Sequence, residues 1–127
     1  MLTLPPSVRV YLATAPVDMR KGYDGLVALV QHTWKLDPFS GHLFVFLARN
    51  GARVKILAWD RGGFILYCKR LEQGRFKLPR IEPGTAQVTI DGTMLAMLLD
   101  GLDVAAVQAP KRWVPPSQRG IDSRSSL

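Results

Sequence analysis

Three apolar runs separated by turn signals dominate the middle of the chain, at residues 43–47, 54–59 and 64–68. Asn50-Gly51 stands between the first two runs. Asn-Gly is a strong hairpin signal because both residues accept the positive φ that a type I′ turn requires. A second turn signal, at residues 60–63, separates the second run from the third. The pattern predicts a three-stranded antiparallel meander.

Helical periodicity precedes the meander and predicts a helix from about residue 21 to residue 34. Either Asp18 or Asp24 would cap this helix, since a carboxylate can accept an unpaired backbone N–H of the first turn. The residues of its predicted buried face are Tyr23, Leu26, Val27, Val30 and Trp34.

A second helix is predicted near residues 94–99, with Asp91 as its N-cap and Gly101 as its stop. This segment is apolar nearly all round. We therefore expect the sheet or a partner chain to bury it.

The remaining segments are expected to extend the sheet and to supply turns. Residues 8–12 are predicted to form a strand, and residues 88–90 either a short strand or a lead-in to the last helix. Residues 71–80 are predicted to form a bent strand with Gly74 as a bulge. Residues 82–85 have the composition of a turn.

These elements predict a single α+β domain over residues 1–109, with an antiparallel sheet of about four to five strands and two main helices packed on it. The length of 127 residues fits one domain. Residues 110–127 are predicted to form a flexible C-terminal tail. Trp113 is the one feature of that tail suited to docking on a partner.

Composition predicts a soluble protein of the cytoplasm. The apolar share is 47%, and no apolar run approaches the roughly 20 residues that span a bilayer. The N-terminal sequence lacks the positive start and long apolar core of a signal peptide. The single Cys68 cannot form an internal disulfide, which fits a reducing compartment.

Positive charge is concentrated in the same region as the meander. From Arg49 to Arg80 there are nine Lys and Arg residues against two acidic residues, a net charge of +7 that equals the charge of the whole chain. Such a localised field predicts an anionic partner, of which nucleic acid is the commonest. A membrane surface is the competing partner, but no basic amphipathic helix accompanies the charge, so no membrane partner is predicted.

The meander geometry predicts where these cations gather. The end of its first strand, the start of its second and the end of its third lie at one end of the sheet, beside the Asn-Gly turn. Phosphate contacts there would give salt-dependent affinity with little sequence preference. The predicted nucleic-acid-binding residues are Arg49, Arg53, Lys55, Lys69, Arg70, Arg75 and Lys77, of which Arg49, Arg53, Lys69 and Arg70 form the predicted cluster.

Two features of this surface leave alternatives open. A basic rim on an ordinary sheet can be solvated without binding any ligand. Exposed Trp59, Tyr67 or Phe76 would stack on bases, whereas aromatic residues in apolar strands more often belong to the core.

No catalytic, metal or cofactor site is predicted. The two histidines and the cysteine do not stand at a zinc-type spacing, and no nucleophile elbow, P-loop or dinucleotide fingerprint is present. A metal-dependent nuclease is the alternative, and it would require the carboxylates of Asp18, Asp24 and Asp60 to converge on a divalent ion.

Two glycines occur in the predicted first turn of the first helix, where each costs about 1 kcal/mol relative to Ala. Their presence predicts a close approach of the backbone, either to the sheet or to a ligand. They belong to a motif of uncertain role, whose members are Asp18, Arg20, Lys21, Gly22, Asp24 and Gly25.

Several blocks, colinear over about residues 4–103, match a known pattern. They are DMRKG and YDGL at residues 18–26, DPFSGHLFVF at 37–46, RVKIL and WD at 53–60, KRLE and GRF at 69–76, and LLDGLD at 98–103. On these blocks the chain resembles the small accessory protein of insertion-sequence family sixty-six, of the TnpB or second-open-reading-frame type.

The resemblance implies a protein encoded beside a separate, larger transposase that carries the acidic catalytic residues. It attaches no catalytic residue to this chain. We therefore predict a non-catalytic accessory factor in DNA transposition, with element-end DNA, the transposase or both as partners and with no cofactor. A pure protein adaptor for the transposase is the alternative, and the sequence leaves a homo-oligomer open.

Overall fold

A computed structural model describes residues 7–77 and 84–100. They form one mixed five-stranded sheet with a helix on each face. Strand order across the sheet is β4-β3-β2-β1-β5. The elements are β1 (Val10–Ala13), α1 (Tyr23–Ala28) running on into a π-helical segment (Leu29–Thr33), β2 (Leu43–Leu47), β3 (Arg53–Asp60), β4 (Gly63–Arg70), β5 (Gln87–Ile90) and α2 (Gly92–Leu99).

The α+β class and the meander β2-β3-β4 are confirmed, but the prediction of a purely antiparallel sheet is wrong for one pair. β1 lies parallel to β2, with Val10 opposite Leu43. The segment between these strands contains α1, which crosses one face of the sheet and returns the chain to the end where it started. A parallel pair requires such a crossover, and a short hairpin cannot provide one.

The two faces of the sheet carry separate cores. The α2 face packs Leu95 and Leu98 of the helix against apolar side chains of the strands. The α1 face packs Leu26, Val30 and Trp34 in the same way. Because both faces of β2 are covered, all five of its residues are buried.

The first hairpin of the meander exists, but its predicted turn type is wrong. Gly51 has a φ of +72°, whereas Asn50 is outside the positive-φ region. The Asn50 side chain instead accepts a hydrogen bond from the Ala52 N–H at 2.9 Å, which stabilises a longer loop. The turn with positive φ at both central residues is the next one, at Arg61 (+45°) and Gly62 (+88°).

The start of α1 differs from its prediction, and the start of α2 agrees with it. The N-cap of α1 is Gly22, which has no side chain to accept a bond, so neither Asp18 nor Asp24 caps the helix. Tyr23 is 47% exposed and lies outside the buried face. In α2 the predicted cap is confirmed, because Asp91 Oδ1 accepts the Met94 N–H at 2.7 Å.

The segment after β4 is not the predicted bent strand over its described part. Residues 71–77 form bends and loop, and Gly74 has a φ of +80° in one of them. The segment is held to the hairpin loop by a hydrogen bond from the Phe76 N–H to the Gly51 carbonyl at 2.7 Å. The strand predicted at residues 88–90 is confirmed as β5.

Several predictions concern residues outside the described ranges. They are the tail at 110–127 with Trp113, the stop at Gly101, residues 78–80 of the predicted bent strand and residues 82–83 of the predicted turn.

Candidate nucleic-acid interface

Two arginines stand directly opposite each other at the end of the sheet that carries the Asn50-Gly51 loop. Arg53 begins β3 and Arg70 ends β4, and the ladder pairs them. The next pair along the two strands, Ala52 with Leu71, is hydrogen-bonded: the Leu71 N–H donates to the Ala52 carbonyl at 2.8 Å. Hydrogen-bonded and non-hydrogen-bonded pairs alternate, so the arginines form a non-hydrogen-bonded pair with Cα atoms about 4.5 Å apart. Arg53 shares its face of β3 with Leu57, which is buried in the α1 core, so both arginine side chains project from the α1 face as close neighbours.

The charge of this pair is only partly compensated. Arg70 Nε lies 3.0 Å from Glu72 Oε2 in an exposed ion pair. Arg53 is exposed, and no described carboxylate forms an ion pair with it. Since like charges directly opposite each other in a sheet are destabilising, the arrangement favours an anion between or beside the two guanidinium groups.

Lys55 has a structural role that the sequence did not indicate. Its Nζ donates hydrogen bonds to the carbonyl oxygens of Met19 at 2.7 Å and Lys21 at 2.8 Å. It thereby ties residues 18–22, here called the DMRKG loop, to the sheet. One N–H of the ammonium group remains for a phosphate contact. One feature of the sequence could have predicted this role: Lys55 lies among apolar residues on its strand face, and a charge in such surroundings requires a polar partner.

Lys69 lies at the predicted end of the sheet but on its other face. It stands opposite Val54, whose side chain is in the α2 core. Its Nζ donates a hydrogen bond to the Leu99 carbonyl at the end of α2. Because side chains alternate between faces along a strand, Arg70 and Lys69 cannot share a face. Lys69 therefore does not join the arginine pair.

The arginine pair and the DMRKG loop border one open cleft of about 480 Å³. Met19 of the loop forms part of its wall, and the two arginines and Lys55 form another part. The sequence motif of uncertain role thus lies beside the predicted basic cluster. The remaining lining residues are Val54, Cys68, Lys69 and Glu72.

Asp18 and Arg20 form an exposed ion pair within the DMRKG loop. The carboxylate accepts hydrogen bonds from the guanidinium group, the shortest at 2.9 Å from Nη2, and from the Arg20 backbone N–H at 2.9 Å. These bonds lower the pKa of the Asp18 carboxyl from 3.8 to about 2. The same interaction raises the pKa of the Arg20 guanidinium above its usual value. Arg20 and the neighbouring Lys21 are both exposed, and they follow Met19, which lines the cleft.

The glycines of the motif have different surroundings. A Cβ atom at Gly22 would meet nothing within 4 Å, while one at Gly25 would lie 3.2 Å from the Lys21 Cβ and Cγ. The predicted close approach therefore exists at Gly25, and it is to the Lys21 side chain rather than to the sheet. Asp24, the last member of the motif, is exposed in the first turn of α1.

Arg49 and Arg75 border a second hollow at the same end of the sheet, of about 220 Å³. The stem of Arg75 packs on the hairpin loop, since a Cβ atom at Gly51 would lie 3.2 Å from the Arg75 Cβ. Lys77 is exposed and lines neither this hollow nor the cleft. The predicted cations thus lie around one end of the sheet without forming a single surface.

The aromatic residues considered for base stacking lie in three different environments. Phe76 is buried in the α2 core, as the alternative predicts. Trp59 contacts Phe39 and Phe64 at the opposite end of the meander, with ring centroids 5.0 Å and 4.9 Å away. Tyr67 is 41% exposed on the α2 face, away from the arginine pair. None of these rings borders the cleft described above.

Within residues 7–77 and 84–100, no three His, Cys, Asp or Glu side chains come together as a group that could hold a metal ion. The convergence of Asp18, Asp24 and Asp60 that a metal-dependent nuclease would require is therefore not present in this arrangement. Nor does any helix of the described chain have the length and apolarity needed to cross a membrane.

The family model for the IS66 Orf2-like protein, TnpB_IS66, matches residues 8–109. The chain belongs to this family. It is 42% identical over 103 residues to the uncharacterized protein y4hO of Sinorhizobium fredii (strain NBRC 101917 / NGR234), covering 81% of this chain and 88% of that protein. It is 39% identical over 101 residues to the uncharacterized protein y4jC of the same strain, covering 80% and 85%. No solved structure matches.

Membership of the IS66 Orf2-like family confirms the resemblance found in the sequence blocks. It indicates an accessory role in the transposition of an insertion sequence and an association with a transposase system. The match covers all five strands, both helices and the DMRKG loop.

Proposed function

We propose that this IS66 Orf2-like protein is a non-catalytic accessory factor that contacts the DNA of its element through the cleft beside Arg53 and Arg70. The observation that supports the proposal is the opposed arginine pair, whose charge Glu72 offsets only in part. A phosphate group would supply the missing negative charge. Guanidinium groups bind phosphate through paired N–H donors.

The DMRKG loop, whose Met19 forms another part of the cleft wall, adds positive charge to the surroundings of the cleft. Arg20 and Lys21 are exposed on a loop that Lys55 holds in place. An extended anionic backbone crossing the cleft would pass between the loop and the arginine pair. Such contacts neutralise phosphates and release counterions, so the affinity should fall steeply with salt. They read no base edges, so little sequence preference is expected from this surface alone.

A fluorescence-anisotropy titration tests the proposal. Labelled element-end and scrambled duplexes are titrated with the full chain over a series of salt concentrations. The test variant is Arg53→Gln/Arg70→Gln. The matched control is Arg9→Gln/Arg61→Asn, which removes the same two charges from exposed positions at the other end of the sheet. Asn suits position 61 because it tolerates positive φ.

We expect the test variant to lose at least tenfold in affinity and to show a smaller slope of log affinity against log salt, by about 0.9 for each lost phosphate contact. The control should lose much less, because its charges act only through the general field. Equal losses in the two variants would remove the arginine pair from the proposed interface.

A second candidate function is a protein adaptor for the transposase that binds no DNA. The observation in its favour is that Lys55 and Lys69 donate hydrogen bonds to backbone carbonyls, which reduces the number of cations available to phosphates. The absence of DNA binding at low salt, together with salt-insensitive capture of the transposase of the same element, would favour the adaptor.

A further inference from the structure

β4 is an apolar strand with one edge that no strand of residues 7–77 and 84–100 pairs with. It spans Gly63–Arg70, and none of its eight residues is buried. Ile65 is 51% exposed and Tyr67 is 41% exposed. β4 is the last strand of the sheet, so its only described neighbour is β3. A long apolar edge strand is a template for pairing with another strand, and no proline interrupts this one.

The hydrogen bonds to β3 determine which groups of β4 face outward. The Leu71 N–H bonds to the Ala52 carbonyl, one position beyond the pair of Arg70 with Arg53. By alternation, the odd-numbered residues of β4 bond to β3. The N–H and C=O groups that point away from the sheet therefore belong to Phe64, Leu66, Cys68 and Arg70.

We propose that two copies of this chain pair antiparallel through β4 and form one continuous ten-stranded sheet. The register follows from the outward-facing groups. With Tyr67 opposite Tyr67 of the second copy, Phe64 faces Arg70 and Leu66 faces Cys68. All four outward-facing residues of each copy then exchange hydrogen bonds. A shift by one residue would place inward-facing groups opposite outward-facing ones, and a shift by two would leave some groups unpaired.

The charges of β4 favour a second copy in this antiparallel register. Its cations, Lys69 and Arg70, are both at one end of the strand. Antiparallel pairing sets Lys69 opposite Ile65 and Arg70 opposite the ring of Phe64, a cation–aromatic arrangement. No like charges then face each other across the interface, whereas a parallel pair of copies would align each cation with itself.

Pairing in this way would also determine how the arginine clefts of the two copies lie relative to each other. Residues directly opposite in an antiparallel pair share a face, so both arginine pairs would lie on the same face of the sheet. The two Arg70 residues would be six positions apart along the strands, or about 20 Å.

Disulfide trapping tests the register. Tyr67→Cys/Cys68→Ser places its thiol on the two-fold axis, in a non-hydrogen-bonded pair with Cα atoms about 4.5 Å apart, a spacing that a disulfide can bridge. Ile65→Cys/Cys68→Ser is the matched control. It exposes a thiol on the same face of the same strand, but the two copies of residue 65 would be about 13 Å apart along the strands.

Under mild oxidation we expect the first variant to form a cross-linked dimer and the control to remain a monomer. The unmodified chain should sediment at about twice its mass of 14.1 kDa at high micromolar concentration. Cys68→Pro removes an outward N–H and should give a folded monomer, as judged by circular dichroism, while Cys68→Ser should stay dimeric. A monomeric unmodified chain, or equal cross-linking at positions 65 and 67, would overturn the proposal.

The dependence on salt concentration distinguishes the pairing of two copies from the binding of DNA. Each copy carries a net charge of +7, so screening should strengthen the dimer while it weakens the binding of phosphates.

Discussion

Lys55 connects the sheet to the DMRKG loop, with its Nζ 2.7 Å from the Met19 carbonyl oxygen. A second bond, of 2.8 Å, reaches the Lys21 carbonyl. The two bonds fix a segment that has no helix or strand of its own. Lys55 thus holds the sequence motif at residues 18–22 on the sheet, together with the packing of Met19 and the bond from the Val17 N–H to the Leu47 carbonyl at 2.9 Å.

We expect Lys55→Met to destabilise the protein by about 1.5–3 kcal/mol, because it leaves two carbonyl groups without a charged donor. The free energy of unfolding from urea titration measures this loss. Hydrogen exchange at the Lys21 amide, which bonds to the Asp18 carbonyl at 3.1 Å, should accelerate as the loop loosens.

Lys77→Met is the matched control for this experiment, since it removes the same charge from an exposed position. Its effect on stability should stay within about 0.5 kcal/mol. If Lys55→Met is as mild as this control, the two hydrogen bonds of Lys55 do not stabilise the loop.

The opposed arginines should lower the free energy of unfolding while they strengthen the binding of DNA. Like charges directly opposite each other cost about 0.2–1 kcal/mol in a sheet, so Arg53→Gln should raise the free energy of unfolding by that amount at low salt. The gain should shrink as salt screens the repulsion. The same change should weaken DNA binding in the anisotropy titration. A variant that is less stable than the unmodified protein would contradict the repulsion.

The Asp18 carboxyl should titrate with a midpoint near its lowered pKa of about 2. Because the pKa in the folded protein lies below the ordinary value of 3.8, the ion pair with Arg20 contributes to stability fully above pH 3.8. That contribution is lost as the pH falls from 3.8 to about 2. Carbon-detected NMR of the side-chain carboxyl measures the midpoint directly.

Arg20→Gln should move the Asp18 midpoint back toward 3.8, because hydrogen bonding by Arg20 is the largest cause of the shift. Lys21→Gln is the control, since Lys21 acts on Asp18 only through its charge and contributes least. A midpoint that responds equally to both substitutions would show that the shift comes from the general positive field.

Local pattern was sufficient for most of the secondary structure. Alternating apolar runs and their turn signals predicted β2, β3 and β4, because strand pairing between neighbours in sequence depends on nearby residues. The cap at Asp91 was predictable for the same reason, since its partner at Met94 is three residues away. The predicted cap of α1 was wrong because Asp18 bonds within its own turn, to Arg20.

The candidate site was predictable in outline only. Meander geometry placed Arg53 and Arg70 at one end of the sheet, and the ladder makes them direct neighbours. The faces and partners of the lysines were not foreseen. Lys55 bonds to a loop more than thirty residues before it, and Lys69 to a helix end thirty residues after it. No local pattern encodes partners at such separations.

The sequence by itself determined the strands of the meander, the segments that become helical, the N-cap of α2 and the concentration of charge, because each depends on residues close together in the chain. Only the tertiary structure decided that β1 runs parallel to β2 and that β4 is the outermost of the described strands. The apolar runs of β2 and β4 look alike in sequence, yet β2 is fully buried and β4 is not. The difference arises because α1 and α2 cover the middle of the sheet, and coverage depends on contacts that no local pattern specifies.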